Sequence, residues 1–265
     1  MKDPKAPDMI TLESIEAAAW GDYFLAGGGT VIHLDGVTVL SAPRFPFPDA
    51  NRAIGLGSLA IATPQLLDRT VDSFAPDVPF YLQVPPKSDP PELHDWILSR
   101  GFTPRRRWVK LYRDLRHLGA DTDLAPREIR VALTRPEDAN RFGETICACF
   151  GFPDAMAPWM AALTGRSGWR TYLAYVENSV AGAAALYMKG TVGSLVAGGV
   201  LREHRRKGVQ GALIERRIRD AAEGGVELLV SEAAEDIPEK PNPSLHNLLR
   251  LGLREAYKRE NYQRP

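Results

Sequence analysis

Between Val200 and Ile214 the chain gathers residue types that together bind phosphate. Arg205, Arg206 and Lys207 supply adjacent cations, and Gly208 and Gly211 supply backbone without a Cβ. The apolar stretch Val192-Gly-Ser-Leu-Val-Ala-Gly-Gly-Val200 precedes them and reads as a strand. After them Ala212, Leu213, Arg216, Arg217, Ile218 and Ala221 recur at helical spacing. A basic, glycine-bearing turn that opens a helix offers an anion its free N–H groups and the positive end of the helix dipole. Gly208 lets the backbone approach such a group closely. The chemistry expected of Arg205, Arg206, Lys207, Gly208, Val209, Gln210, Gly211 and Ala212 is therefore pyrophosphate binding.

The elements that must hold this turn follow a definite order. Pro136–Phe150, capped by Thr134, predicts a helix ended by Gly151-Phe152-Pro153, and Met156–Leu163 predicts a second. Trp169–Val176 and Val180–Met188 predict a hairpin about Glu177-Asn178-Ser179, and the strand ending at Val200 follows. Beyond the basic turn come a strand at Val226–Val230, a proline-rich loop from Pro238 to Pro243, a helix over Ser244–Leu251 stopped by Gly252, and a strand from Arg254 to Arg259. The first half repeats the last part of this order. Its strand is Pro79–Val84, its proline-rich loop Pro85–Pro91, its helix Glu92–Arg100 stopped by Gly101, and its closing strand Trp108–Arg113. The repetition predicts tandem copies of one fold, residues 1–120 and 128–265, joined near Leu118 to Arg127 where Gly, Asp, Thr and Pro cluster.

The basic turn and its surroundings resemble the GCN5-related N-acetyltransferases, whose acyl-CoA loop reads Arg/Gln-x-x-Gly-x-Gly/Ala after a strand. Arg205-x-x-Gly208-x fits, whereas the sixth position is Gln210, with Gly211 one place later. Ser244-Leu-His-Asn-Leu-Leu-Arg-Leu-Gly252-Leu253 resembles the family's helix that ends in Gly-Phe before the last strand. The resemblance implies a mixed α/β (α+β) fold: two GNAT-like domains, each a mixed, mostly antiparallel central sheet flanked by helices. It also implies acetyl-CoA as cosubstrate, no metal, and direct transfer of an acetyl group to an amine on a small molecule or peptide.

An earlier stretch, Arg52-Ala-Ile-Gly55-Leu-Gly57, matches the same motif to the letter. It is followed by strand-like Ser58–Ala62, and the next helix signal is the cap Thr63-Pro64, so its glycines do not open a helix. The first copy is read as degenerate. Gly27-Gly28-Gly29, between Phe24-Leu25 and Val31-Ile32, is read as a hairpin turn.

Acyl transfer to an amine needs a deprotonated nucleophile, because an amine of pKa about 10.4 is mostly protonated at pH 7. It also needs donors for the oxyanion, which the backbones of Gly198, Gly199 and Val200 would supply at a strand bulge, and an acid for the thiolate. The family's tyrosine acid falls at Leu248 in this chain, and its helix asparagine is out of register, with Asn242 one residue off and Asn247 further on. Tyr257 replaces the acid in this reading, Glu232 is the base, with His246 as an alternative, and Asn247 counts with the cofactor-binding residues. Tyr172, Tyr175 and Tyr187 are expected in the core or pocket wall, and Trp159 and Phe152 are candidates for the acceptor side.

Composition excludes more than it selects. The 265 residues carry 33 Lys+Arg against 33 Asp+Glu, which gives no global attraction to nucleic acid, and the His204–Lys207 run is a local patch. No apolar run approaches the ~18 residues of a membrane span, and the Met1-Lys-Asp-Pro-Lys5 start has no signal-peptide core, so a cytoplasmic protein is expected. Cys147 and Cys149, two apart on a predicted helix, form no disulfide framework or metal site and are expected to be buried thiols. An internal duplication that replaces a dimer favours a monomer. Competing with the enzyme is a non-catalytic acyl-CoA-binding sensor or structural pseudoenzyme, which would bind CoA without turnover.

Overall fold

The computed structural model describes residues 6–116 and 129–264. In chain order its elements are α1 (Met9–Ala26), β1 (Thr30–Leu34), β2 (Val37–Ser41), β3 (Asn51–Ile54), α2 (Pro64–Asp72), β4 (Tyr81–Val84), α3 (Leu93–Ser99) and β5 (Thr103–Asp114). These are followed by β6 (Ile129–Leu133), α4 (Ala139–Phe150), α5 (Ala157–Ala161), β7 (Trp169–Val176), β8 (Ser179–Lys189), β9 (Val192–Val200), α6 (Val209–Glu223), β10 (Leu228–Ala234), α7 (Pro243–Arg250) and β11 (Arg254–Gln263). The repeated order is present: β4, proline-rich loop, α3, Gly101, β5, and then β10, proline-rich loop, α7, Gly252, β11. Both stop glycines are left-handed, at φ +80° and +82°, the conformation that ends a helix without a Cβ clash. The expected linker from Leu118 to Arg127 lies outside the described residues.

The contacts divide the chain into two compact units that are not the contiguous halves 1–120 and 128–265. Unit 1 is Met1–Leu111 with Glu232–Lys240 and Glu255–Pro265, and unit 2 is Tyr112–Ser231 with Pro241–Arg254. The chain's final strand thus belongs with its beginning. β11 pairs antiparallel with β4, placing Glu260, Asn261 and Tyr262 opposite Val84, Gln83 and Leu82. Side chains fix that register: the Gln83 amide donates to Asn261 Oδ1 at 2.9 Å, and the Asn261 amide donates to Arg106 O at 2.7 Å.

Within unit 1, β1, β2 and β3 are successive antiparallel neighbours, β3 and β4 run parallel, and β11 and then β5 continue the order. Val37, Val39, Leu67, Leu82, Val84 and Phe102 anchor its apolar core, with Phe74 and Phe80 stacked at 3.9 Å. Two expectations fail here. Gly27–Gly29 do not turn a hairpin: Phe24 and Leu25 lie in α1, and the Gly29 N–H donates back to Phe24 O at 2.8 Å, so the glycines stop a helix. The hairpin turn is Asp35-Gly36, both at positive φ, between β1 and β2. Nor is Ser58–Ala62 a strand; it is a turn whose Ser58, Leu59 and Ala60 N–H groups all donate to Gly55 O.

Unit 2 is built on the order β10-β9-β8-β7-β6, with β10 and β9 parallel and the remaining pairs antiparallel. A Cβ built on Gly198 would meet Arg217 of α6, and one on the next residue, Gly199, would meet Cys149 of α4. Successive strand residues face opposite sides, so α4 and α6 cover opposite faces of this sheet.

Candidate functional site

Local geometry explains why β9 and α6 meet as they do. β9 carries a bulge: Ala183 pairs with Gly199 and Ala185 with Val196, leaving one β8 residue opposite Ala197 and Gly198. Ala197 takes φ +45°. On its other edge β9 pairs with β10 only from Val192 to Leu195, opposite Leu228 to Ser231. The bulged end of the strand therefore lies beyond that ladder. Leu201 N–H donates to Ala181 O on the β8 side, so by strand alternation the Val200 N–H faces the edge without a ladder, while that of Gly199 faces β8. Among the three expected oxyanion donors, Val200 thus points its N–H away from β8 and Gly199 points its N–H toward it. Glycine at 198 and 199 has a packing cause as well. The added Cβ would lie 2.8 Å from Arg217 Nη2 at one and 2.5 Å from Cys149 Cβ at the other.

A short 3-10 turn, Arg202–His204, leads to the basic residues. Arg206 and Gly208 are both left-handed, at φ +63° and +85°, and Gly208 is the N-cap of α6. No side chain caps this helix, and the Ala212 N–H is the first to bond backward, to Gly208 O at 3.1 Å. The preceding amides of Val209, Gln210 and Gly211 are the free donors of a helix start. Arg205, Arg206, Lys207 and Gly208 are exposed around them, and Arg205 Nε donates to Val200 O at 3.3 Å, tying the turn to the strand end. The arrangement can bind a phosphate-bearing group.

The remaining expected residues divide. Val209 and Ala212 point into the core, and the Ala212 N–H is already used. Gln210, standing where the family has a small residue, donates to Ser244 Oγ at 2.7 Å and accepts from the Asn247 amide at 2.9 Å. It thereby ties α6 to α7 through one Asn247 N–H, while Asn247 Oδ1 accepts from Arg250 at 3.3 Å. Gly211 is buried, with room for a Cβ 3.4 Å from Arg250 Nη2. Leu248 is a core residue and His246 is exposed. Tyr172 is fully buried with its hydroxyl on Asp220 Oδ2 at 2.8 Å; burial and then Asp220 push that hydroxyl well above its ordinary value. Tyr187 packs on Trp169, Tyr175 under Arg130, and Phe152 on Phe150. Trp159 is buried in α5.

Glu232 and Tyr257 lie in unit 1, whereas the basic turn lies in unit 2. They are engaged in a buried ion cluster with Glu13 and Glu16 of α1, Arg52 of β3, Lys110 of β5 and Arg259 of β11. Arg259 reaches Glu16 at 2.7 Å, Glu232 at 2.6 Å and Glu13 at 3.3 Å, and the Tyr257 hydroxyl donates to Glu13. Lys110 contacts Glu16 and lies 3.7 Å from Glu13 and 3.9 Å from Glu232, and Arg52 is 3.6 Å from Glu232. Burial, then Glu13, push the Tyr257 hydroxyl far up, which makes it a poor proton donor. Arg52, the first residue of the second motif match, stacks on Trp20 and Trp108 instead of facing a phosphate. In the same stretch, Thr63 Oγ1 accepts the Leu66 N–H at 3.1 Å and caps α2, and a Cβ on Gly57 would strike Leu93 and Ser88.

Cys147 is buried, Cys149 is partly so, and both are free. Burial pushes the Cys147 thiol up to about 11 and the Cys149 thiol up to about 12. Since the thiolate is the reactive species, iodoacetamide at pH 8 is expected to leave both unlabelled in the native protein and to label both in guanidinium, read by intact mass. Native labelling of Cys149 as fast as a free thiol would contradict the packing against Gly199. Among the described residues no group of three or more His, Cys, Asp or Glu could hold a metal ion, and no helix is long and apolar enough to cross a membrane.

No protein-family model matches the sequence, and no curated protein does. Solved structures do match. A GCN5-related N-acetyltransferase from Kribbella flavida superposes with TM-score 0.69 at 16% identity, over 98% of this chain and 97% of that one. One from Sphaerobacter thermophilus gives 0.64 at 15% identity, over 86% and 76%. A tandem GNAT protein from the clavulanic acid biosynthesis pathway gives 0.58 at 16% identity, over 96% and 92%. At such identities the likeness speaks for architecture, and with the bulged β9 and the uncapped α6 it supports one conclusion: this chain has the fold of the GCN5-related N-acetyltransferases.

Proposed function

We propose that the protein is an N-acetyltransferase that takes acetyl-CoA at unit 2 and transfers its acetyl group directly to an amine. The observation that carries this reading is the start of α6: uncapped, opened by left-handed Arg206 and Gly208, and ringed by exposed Arg205, Arg206 and Lys207. These residues fit a pyrophosphate. The cap residue, Gly208, has no side chain to compete for the amides at the helix start. The Val209, Gln210 and Gly211 amides would hold the phosphates, with the cationic side chains compensating their charge. Bound there, acetyl-CoA would supply an activated acyl thioester. The Val200 N–H, facing the edge beyond the β9–β10 ladder, would donate to an acyl oxygen. Neither Glu232 nor Tyr257 enters the proposal as base or acid, since both are engaged in the ion cluster.

Calorimetry with acetyl-CoA on the parent protein and on Gly208→Glu tests the site. The parent should bind at a single site. The variant puts a carboxylate in the cradle and a side chain on a backbone at φ +85°, and it should lose at least roughly 100-fold in affinity. No binding to the parent, or equal binding to both, would remove the proposal. A second reading, an acyl-CoA-binding protein without turnover, is favoured by core Leu248 at the position of the family's acid. Binding with no loss of thioester across a panel of amines would select it.

A further inference from the structure

Beneath the bulge of β9 unit 2 holds a cation with no anionic partner. Arg217 of α6 is 3% exposed. Its Nε donates to Leu213 O at 3.0 Å, and its Nη1 donates to Ala185 O at 3.1 Å and Val196 O at 3.4 Å. Nη2 lies 2.8 Å from where a Cβ on Gly198 would stand. Among the described residues no carboxylate comes within ion-pair distance of it. The nearby Asp220 is committed to Arg216 at 2.8 Å and to the Tyr172 hydroxyl at 2.8 Å. Burial lowers the guanidinium to about 10, so it is charged at pH 7. A buried charge faced by carbonyl dipoles and the Tyr172 hydroxyl, with no carboxylate, is less stable there than an apolar residue would be. The stripe to which it belongs, with Leu213, Ile218 and Ala221, would accept a leucine.

What the charge does follows from its contacts. By holding Val196 O on the α6 face, Arg217 fixes the Val196–Ala197 peptide, and since a trans peptide points its N–H opposite its C=O, that amide is turned the other way. It thus sets the geometry in which Ala197 takes φ +45° and Gly198 to Val200 leave the ladder. We propose that Arg217 is a positioning residue for acyl transfer, which shapes the β9 bulge and sets a positive potential behind it that favours an anion at the acyl end of a bound CoA thioester. This rests on the acetyl-CoA reading above. The anion is the oxyanion that forms when the amine adds to the thioester carbonyl and its π electrons move to oxygen. Collapse of that adduct re-forms the carbonyl, breaks the C–S bond and expels the thiolate, which is balanced as CoA thiol by the proton that the acylated nitrogen gives up.

Two probes separate this role from ordinary packing: acetyl-CoA, neutral at its acyl end, and S-carboxymethyl-CoA, which puts a carboxylate there. The parent should bind S-carboxymethyl-CoA at least roughly tenfold more tightly than acetyl-CoA. Arg217→Met should lose that preference while binding acetyl-CoA within about threefold of the parent, because the phosphate cradle is untouched. Arg217→Lys, which keeps the charge with fewer donors, should retain part of the preference. If Arg217→Met does not fold, the parent and the lysine variant decide. Equal affinity of the parent for the two probes overturns the proposal, as does an equal loss for both probes in a folded variant. Binding of acetyl-CoA alone likewise overturns the proposal, whereas failure of both probes to bind the parent would instead remove the acetyl-CoA reading on which it rests.

Discussion

Arg259→Met should lower the stability of unit 1 by about 3–5 kcal/mol, a fall of roughly 10 °C in Tm. Arg259 is fully buried and touches three carboxylates, Glu13, Glu16 and Glu232. With Lys110 and Arg52 the cluster holds matching charges, and removing one cation leaves a buried negative charge uncompensated. Burial, then Arg259, push the Lys110 ammonium down to about 8, so it is already charged at neutral pH and has no further charge to offer in place of a lost guanidinium. The cost arises from the unpaired partner, so Arg259→Met combined with Glu16→Gln should lose less than the sum of the single changes. Thermal unfolding followed by circular dichroism checks both statements, and a single variant within about 2 °C of the parent would refute the first. The acid side follows the same logic. Against the cost of burial, Lys110 and Arg259 hold Glu13 below the usual carboxylate range. A lowered folded-state value stabilises above the unfolded value of about 4.3, and this contribution is lost as the pH falls through the folded value.

That cluster also shows what the sequence hid. The strand-turn-helix order about the basic turn is legible because its signal is local: a strand, cations, Gly208 and a helix lie within one short stretch, and β9 and α6 flank the turn as that order predicts. Helix α1 was not legible. It buries Glu13 and Glu16 among Leu12, Ile15 and Ala19, which erases the polar face that marks an amphipathic helix, and the partners of those carboxylates are far off in sequence. The sequence of β11 reads as the closing strand of the second copy, but its pairing with β4 is tertiary and leaves no mark in Arg254–Gln263. Glu232 and Tyr257 suggested catalysis by residue type alone, and burial with specific partners is what the structure adds. Arg217 was visible only as a position in a helical stripe. Its one signal was a charge at a spacing that otherwise carries Leu213, Ile218 and Ala221.

Gly143→Ala should destabilise unit 2 by about 3 kcal/mol even though alanine is the better helix former by roughly 1 kcal/mol. Gly143 lies inside α4, where a Cβ would fall 2.9 Å from the Ala157 carbonyl carbon, nearer still to its oxygen, and 3.1 Å from Ala161 N. All three atoms are backbone of the α5 segment, and no side-chain rotation relieves the clash; the two helices must separate. The far end of α4 carries Cys149 and Phe150 against Gly199, so the separation also loosens the β9 bulge, and acetyl-CoA affinity should fall with stability. Gly21 supplies the opposite sign. It lies inside α1, and its Cβ would meet only Val31 Cγ1, at an ordinary 3.8 Å. There the helix propensity is unopposed, and Gly21→Ala should stabilise unit 1 by roughly 0.5–1 kcal/mol. Chemical denaturation of the two variants beside the parent measures both shifts. Stabilisation by both would mean that α4 and α5 have slack at their crossing, and the tight packing that presents Gly199 to α4 would have to be abandoned.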